Sequence, residues 1–179
     1  MITARPRPAS QLSDTPHPIA PPSPPDCSVR PARPRDATAL AALSEPFVRS
    51  GALRPRPFQI YAWHATDFLV AEAPDGSLAG CLALRVHPEP TRDGRMSGVL
   101  YNFCVAHGSQ GSGLGAQLLT AALAEGGSRA LDAVFTATTG SGRLFLHHGF
   151  APVSPRLAPE AWARSLDPRR GATVLARVL

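Results

Sequence analysis

Between Val105 and Leu119 the chain carries four glycines in eight residues, in the order Gly108-Ser109-Gln110-Gly111-Ser112-Gly113-Leu114-Gly115. An apolar run, Phe103-Cys104-Val105-Ala106, leads into this turn, and a helix-forming run, Ala116-Gln117-Leu118-Leu119, leaves it. The first turn of a helix presents N–H groups without intrahelical partners and a partial positive charge. Glycines let a backbone approach an anion closely, so a strand, a glycine turn and a helix in series can cradle phosphate. No Lys-Ser/Thr pair follows, which excludes a P-loop. Gly111-x-Gly113-x-x-Ala116 satisfies the permissive dinucleotide pattern, but the turn comes too late in the chain for a doubly wound domain to be built after it. On the glycines alone, a phosphate cradle and a plain flexible connection are both open.

The elements that must position this loop can be read from punctuation and periodicity. Ser28–Ala32 reads as a short strand. Asp36 is placed to cap a helix with Ala37, Leu40, Leu43 and Phe47 at helical spacing, and Pro46 is expected to end or kink it near its last turn. Gly51–Trp63 reads as a proline-interrupted loop followed by a short helix. Phe68–Glu72 and Ser77–Val86 are strands joined by the turn signal Pro74-Asp75-Gly76. Pro88–Gly94 is a loop, Gly98–Ala106 a long apolar strand, Gly113–Ala124 a helix and Leu131–Ala137 a strand. Ser141–His148 is a short helix closed by Gly149. Phe150–Val153 begins a strand, Pro159–Arg164 is a helical turn and Thr173–Val178 is the last strand. An early hairpin followed by crossover helices implies mixed strand directions, hence an α+β (α/β) domain with a central mixed sheet flanked by helices.

Residues 1 to about 26 hold eight of the twenty prolines. Proline fixes φ and removes a donor, so 1–27 is expected to be a disordered, polyproline-like tail ahead of a domain at 28–179. The chain has 179 residues and a formal net charge of +5. That balance suits an anionic ligand. No basic cluster interleaved with aromatics points to nucleic acid. The three cysteines, Cys27, Cys81 and Cys104, lack the spacing of a zinc site or a disulfide framework, so no metal is expected. No apolar run is long enough to span a bilayer and no secretory h-region opens the chain, so the expectation is a cytoplasmic protein.

Gln110-x-x-Gly113-x-Gly115, five residues beyond Val105, resembles the acetyl-CoA loop of the GNAT acetyltransferase superfamily. The resemblance implies a GNAT-like sheet with acetyl-CoA in a cleft between splayed strands. It places the backbone of Cys104 and Val105 on the pantetheine arm, and the N–H groups of Gln110, Gly111, Ser112, Gly113, Leu114 and Gly115 on the pyrophosphate. Leu144-Phe145-Leu146-His147-His148-Gly149-Phe150 resembles the superfamily's helix-to-strand corner, with Phe145 where many members carry a tyrosine that protonates the leaving thiolate. Within the superfamily, residues 28–179 resemble bacterial amino-acid N-acetyltransferases of the N-acetylglutamate synthase family. Thr138-Thr139, Gly149-Phe150, Pro152-Val153, Pro159-Glu160, Arg170 and Val174-Leu175 follow that family's order. Gly51-x-Leu53-x-x-Arg56 and Gly80-Cys81-x-Ala83-Leu84 match two of its segments. The amino-acid-kinase domain of its long forms has no counterpart here, so the resemblance implies a stand-alone form.

This resemblance puts the guanidiniums of Arg56 and Arg170 on the carboxylates of a small-molecule amine, most simply L-glutamate. In an arginine-rich chain each also has a plain reading as a surface residue. Two positions depart from the family: its Arg-x-Ser is Arg170-Gly171-Ala172, and Val99 replaces an acidic residue on the central strand. The implied reaction is direct attack of a neutral amine on the thioester. The oxyanion would be met by the Val105 N–H. Candidates for base or water positioner are Tyr101, Asn102, His107, His147 and His148. Tyr101 and Asn102 are expected on opposite strand faces, so that only one meets the substrate. An acetyl-cysteine on Cys104 is the covalent alternative, a buried strand thiol its bland counterpart. Three functions stay open: N-acetylglutamate synthesis for arginine formation, acetylation of another amine (xenobiotic, antibiotic or protein), and a CoA-binding regulatory module without activity. GNAT domains often dimerise, so a homodimer is compatible.

Overall fold

The computed structural model describes residues 27–89, 91 and 94–179. The proline-rich segment 1–26 and part of the Pro88–Gly94 loop lie outside the described residues. The elements run β1 (Ser28–Pro31), α1 (Ala37–Arg49), α2 (Phe58–Trp63), β2 (Phe68–Glu72), β3 (Leu78–His87), β4 (Ser97–Val105), α3 (Leu114–Ser128), β5 (Ala133–Thr138), α4 (Arg143–His147), β6 (Ala151–Pro152), α5 (Glu160–Arg164) and β7 (Thr173–Val178). The strands form one seven-stranded sheet in the order β1-β2-β3-β4-β5-β7-β6. Only the central β4–β5 pair is parallel; every other neighbouring pair is antiparallel.

Alternation along β3 sets the two layers. Leu82 and Leu84 face α3, where Leu114, Leu118, Leu119 and Ala122 close a core that Leu100 and Val134 complete. Cys81 and Ala83 face the other side, where Leu40 of α1 and Tyr61 of α2 pack with Phe68 and Val70. On that same side, further along the sheet, Trp162 and Ala163 of α5 cover Val99, Phe135 and Val174. The β2–β3 turn is the one expected: Gly76 takes φ +82° and the Ala73 N–H donates to the Ser77 carbonyl at 2.9 Å.

Two expectations of local structure are corrected. Asp36 does not cap α1 through its side chain. Its carboxylate accepts instead from Arg30 (2.8 Å) and the Arg33 N–H (2.7 Å), and Arg30 also pairs with Glu72, tying the start of the domain to β2. Pro46 marks the last turn of α1, which ends three residues beyond it at Arg49. Proline costs the helix one donor, but Phe47 beyond it is held by stacking on His107 and by the core. Helix α3 passes through Gly126-Gly127 to Ser128 rather than stopping at Ala124. A Cβ on Gly126 would lie 2.9 Å from Leu179 and 3.4 Å from Val134, so a glycine there lets the last turn sit on the sheet.

Two irregularities of β4 shape the site. First, β4 pairs with β5 only over Ser97–Val99 against Ala133–Phe135, and beyond that the two strands part. Second, Asn102 takes φ +51° and the β3–β4 register slips between Cys81 and Ala83. This is a β-bulge: two residues of β4 stand opposite one of β3. Leu100, Phe103 and Val105 therefore face α3, while Tyr101, Asn102 and Cys104 all face α1 and α2. The expectation that Tyr101 and Asn102 lie on opposite faces is overturned, because the left-handed residue breaks the two-residue period.

The bulge is held by side chains. Asn102 donates from Nδ2 to Ser44 Oγ at 2.8 Å and accepts from the Tyr61 hydroxyl at 3.4 Å. Replacing Asn102 with Ala removes these bonds and leaves a Cβ residue in the left-handed region, where the penalty is about 1–2 kcal/mol. Asn102→Gly loses the same bonds without that penalty. Urea unfolding should show both variants destabilised, with Ala the worse by about 1 kcal/mol; equal losses would mean that the backbone conformation is not the constraint.

Candidate active site

The parting of β4 and β5 opens a cavity of about 660 Å³. Leu100 to Phe103 of β4 form one wall, and Thr136 to Gly140 at the end of β5 form the other. Phe145 of α4 and Trp162 of α5 close it, and Arg56 and Arg170 reach it from loops distant in sequence. Beyond Val99 the end of β4 has no β5 partner. The Ala106 N–H donates to the Ala79 carbonyl at 2.8 Å, and antiparallel partners alternate between bonded and unbonded pairs. Val105, opposite Gly80, therefore turns its N–H and C=O away from β3 and toward the side that β5 has left. Gln110 closes back onto this strand, its amide donating to the Val105 carbonyl at 3.1 Å.

The same alternation corrects the expectation for Cys104. Opposite Cys81 in a bonded pair, its backbone is spent in the ladder with β3. Phe103 and Val105 are the residues that turn toward the opening. The Cys104 thiol is buried 3.6 Å from the thiol of Cys81 on the face away from α3. The hydrogen bond between them and burial push the Cys81 thiol well above its usual range. Two buried thiols in contact match the plain reading, not a covalent acyl carrier.

The loop beyond β4 has the features of an anion cradle. Gly111 and Gly113 take φ of +81° and +85°, and a Cβ at either would meet nothing within 4 Å, so the turn lies open. Among the described residues, the N–H groups of Gly111, Ser112, Gly113, Leu114, Gly115 and Ala116 have no acceptor. The first intrahelical donor is Gln117, bonded to the Gly113 carbonyl at 3.1 Å. Ser112 turns its hydroxyl to the Ser109 carbonyl at 2.7 Å, and the Leu114 side chain is buried in the core, so both offer only their N–H. Gly115 serves packing: a Cβ there would lie 3.3 Å from Leu144 and 3.5 Å from Phe103, so its absence lets α3 start against the strand.

Tyr101 sits in a polar network that sequence reading missed. Its hydroxyl donates to Asp67 at 2.8 Å and accepts from Arg85 at 3.1 Å, and Arg85 also donates to Asp67 at 2.9 Å. The Arg56 guanidinium lies 4.5 Å from the Tyr101 ring centroid and that of Arg85 lies 5.0 Å away. Burial, and then the Asp67 carboxylate, push the phenol well above its usual range. Tyr101 is thus held protonated, the opposite of what a general base requires, and can act as a hydrogen-bonding group. Asn102 is buried with its amide committed to Ser44 and Tyr61, so it positions the strand. Asp67 and Arg85 gave no local signal, since their meeting with Tyr101 depends on three strands coming into register.

The two predicted arginines do meet at the cavity. Half-buried Arg56 has no carboxylate or hydrogen-bond acceptor among the described residues, and burial draws its guanidinium below the usual range. Arg170 is anchored by its Nη2, which donates to the carbonyls of Gly51 (2.9 Å) and Ala52 (3.2 Å). The three histidines lie elsewhere. His107 stacks on Phe47 with centroids 5.1 Å apart, and His148 turns Nδ1 to the Leu144 carbonyl at 2.8 Å. Exposed His147 does not line the cavity. Among the described residues no cluster of His, Cys, Asp and Glu could hold a metal ion, and no helix is long and apolar enough to cross a membrane.

Residues 37–150 match the acetyltransferase (GNAT) family over more than half of the chain. The chain belongs to that family. Its fold is similar to N-acetylglutamate synthase from Neisseria gonorrhoeae, solved with coenzyme A and N-acetyl-glutamate, with a TM-score of 0.77 and 27% identity over 86% of this chain. The alignment covers 35% of that enzyme, so this GNAT chain spans about a third of its length. The Rv2747 protein of Mycobacterium tuberculosis, solved with CoA and NLQ, has a TM-score of 0.71 at 23% identity, covering 85% of this chain and 99% of that one. A ribosomal-protein-alanine N-acetyltransferase from Brucella melitensis shares the fold at a TM-score of 0.64 and 21% identity, over 85% and 99% of the two chains. No curated protein matches the chain.

The cradle of this GNAT domain is testable apart from catalysis. Gly113→Ala places a Cβ residue at φ near +85°, and the strain of about 1–2 kcal/mol is relieved by moving the loop. Titration calorimetry should show CoA binding weakened about tenfold, the equivalent of roughly 1.4 kcal/mol. Gly76→Ala carries similar strain at φ +82° in the distant hairpin and should leave CoA affinity unchanged.

Proposed function

We propose that this chain transfers acetyl from acetyl-CoA to the α-amine of an amino acid, with L-glutamate as the acceptor. The observation that carries the proposal is the convergence of Arg56 and Arg170 on the cavity where β4 and β5 part. The similarity to N-acetylglutamate synthase supports the same acceptor.

The cradle fits the cofactor. Six backbone donors without acceptors on an open loop suit a pyrophosphate, and Phe103 and Val105 offer strand backbone to a pantetheine arm. Bound acetyl-CoA supplies the activated acetyl thioester. The chain's own groups then do three things. Arg56 and Arg170 bind carboxylates with planar paired donors, fixing the acceptor's orientation. The Val105 N–H, turned away from β3 at the end of β4, is a preorganised donor for a developing oxyanion. Tyr101, protonated and anchored on Asp67, can accept a hydrogen bond from an N–H of the neutral acceptor amine, leaving its lone pair free to attack.

Phe145 favours a second reading. It is buried between Phe103 and Phe150, with centroids 5.8 and 5.4 Å away, and leaves no hydroxyl where many family members have a tyrosine acid. On that reading the chain binds CoA without rapid turnover, or serves an amine whose reaction needs no such acid. A thiol-release assay with acetyl-CoA and a panel of amino acids and polyamines decides the matter. Turnover confined to glutamate is expected; tight CoA binding with no turnover on any amine would establish the second reading.

The carboxylate contact has its own test. Arg170→Ala should raise the glutamate KM at least tenfold, in line with the ~1.5–3 kcal/mol of a hydrogen bond to a charged group. The acetyl-CoA KM should stay unchanged. An unaltered glutamate KM would remove Arg170 from the acceptor site.

A further inference from the structure

Behind the Tyr101 ring lies a second, smaller cavity of about 240 Å³. Arg54, Arg56, Arg85 and His87 line it, with Val99, Tyr101 and Trp162 among its walls. No Asp or Glu belongs to the lining among the described residues. Arg54, Arg56, Tyr101 and Trp162 also line the larger cavity, so the two spaces adjoin, while Arg85 and His87 line only the smaller one and Arg170 only the larger.

We propose that this cavity is a second anion-binding subsite beside the proposed acceptor site, built for a compact dianion of the phosphate or dicarboxylate class, gripped by Arg54 and Arg85 and sharing Arg56 with the larger cavity. Three guanidiniums share one small space with little to answer them. Arg85 alone has a carboxylate partner, Asp67, which approaches from outside the cavity. Arg54 gives one N–H to the Ser165 carbonyl at 3.0 Å, and Arg56 gives none to any acceptor among the described residues. A cation withdrawn from water is costly unless an anion or hydrogen bonds compensate it. Arg56 and Arg85 compound that cost, since both lie within about 5 Å of the same ring centroid. A dianion between them would satisfy free donors and relieve their mutual repulsion. His87 reports the same field from the cavity edge: burial and then Arg85 draw its imidazole below the usual range, against the opposing pull of Glu89.

His87 also supplies the readout. The full chain is first saturated with CoA, so that the glycine loop cannot take up the added anion. Inorganic phosphate and succinate are then titrated separately at constant ionic strength while imidazole signals are followed by NMR, with His87 assigned through His87→Gln. Saturable shifts at His87, a rise in its apparent pKa and no shift at His147 are expected. Arg54→Gln should weaken that binding at least tenfold with CoA affinity unchanged, while Arg129→Gln, on the exposed end of α3, should leave it as in the parent chain. Saturation by either ion that persists in Arg170→Ala supports the subsite, and the tighter of the two identifies its source; saturation lost in Arg170→Ala would place the ion in the acceptor's seat and overturn it. Absence of saturation by both ions, or an affinity indifferent to Arg54→Gln, would overturn it.

Discussion

Asn102 holds a left-handed backbone in the middle of the sheet's central strand, and the geometry of the site follows from it. Without the bulge, Tyr101 and its neighbour would point to opposite layers. With it, both face the α1 and α2 side, while Phe103 and Val105 keep their place against α3. The bonds to Ser44 and Tyr61 bring two helices to bear on this one residue. A single polar side chain thus joins the central strand of the sheet to the helices that cover it. The parting of β4 from β5 after Val99 then turns the upper strand into an open edge inside a folded domain. Elsewhere an unpaired edge is a liability; here α3, α4 and α5 enclose it, so that it meets a ligand and not another chain.

The site also shows a division of labour between backbone and side chain. The glycine loop holds charge with N–H groups alone, since residues 110–115 carry no charged side chain. The larger cavity is instead lined by guanidiniums anchored by carbonyls and by an aromatic ring. Arg170 is braced on Gly51 and Ala52, so the loop ahead of α2 and the turn ahead of β7 act as one wall.

What could be read from the chain beforehand follows this division. The cradle was legible because its physics is local: a strand, glycines and a helix start are consecutive in sequence. The Pro74-Asp75-Gly76 turn and the Gly149 corner were legible for the same reason; at the latter the Phe150 N–H bonds the Phe145 carbonyl at 3.1 Å. Arg56 and Arg170 were legible only through family resemblance, since 114 residues separate them and nothing in their neighbours predicts a meeting. The bulge was not legible, because one asparagine in an apolar run does not announce a positive φ and period-two reading assumes a regular strand. Asp67 and Arg85 escaped for another reason, since their worth depends on β2, β3 and β4 being in register. Pro46 was legible as a mark of the last turn of α1, which ends three residues beyond it at Arg49.

The contrast between loop and cavity has a kinetic side. Fields from half-exposed guanidiniums reach into solution and guide anions inward, but mobile ions attenuate them over about 8 Å at physiological ionic strength. Backbone dipoles in a helix's first turn act only at contact range and depend far less on that screening over distance. A change in cellular salt therefore falls unevenly on the two halves of this site. A rise in salt would slow the arrival of the anionic acceptor proposed above, while the contact-range N–H groups of the glycine loop would be less affected.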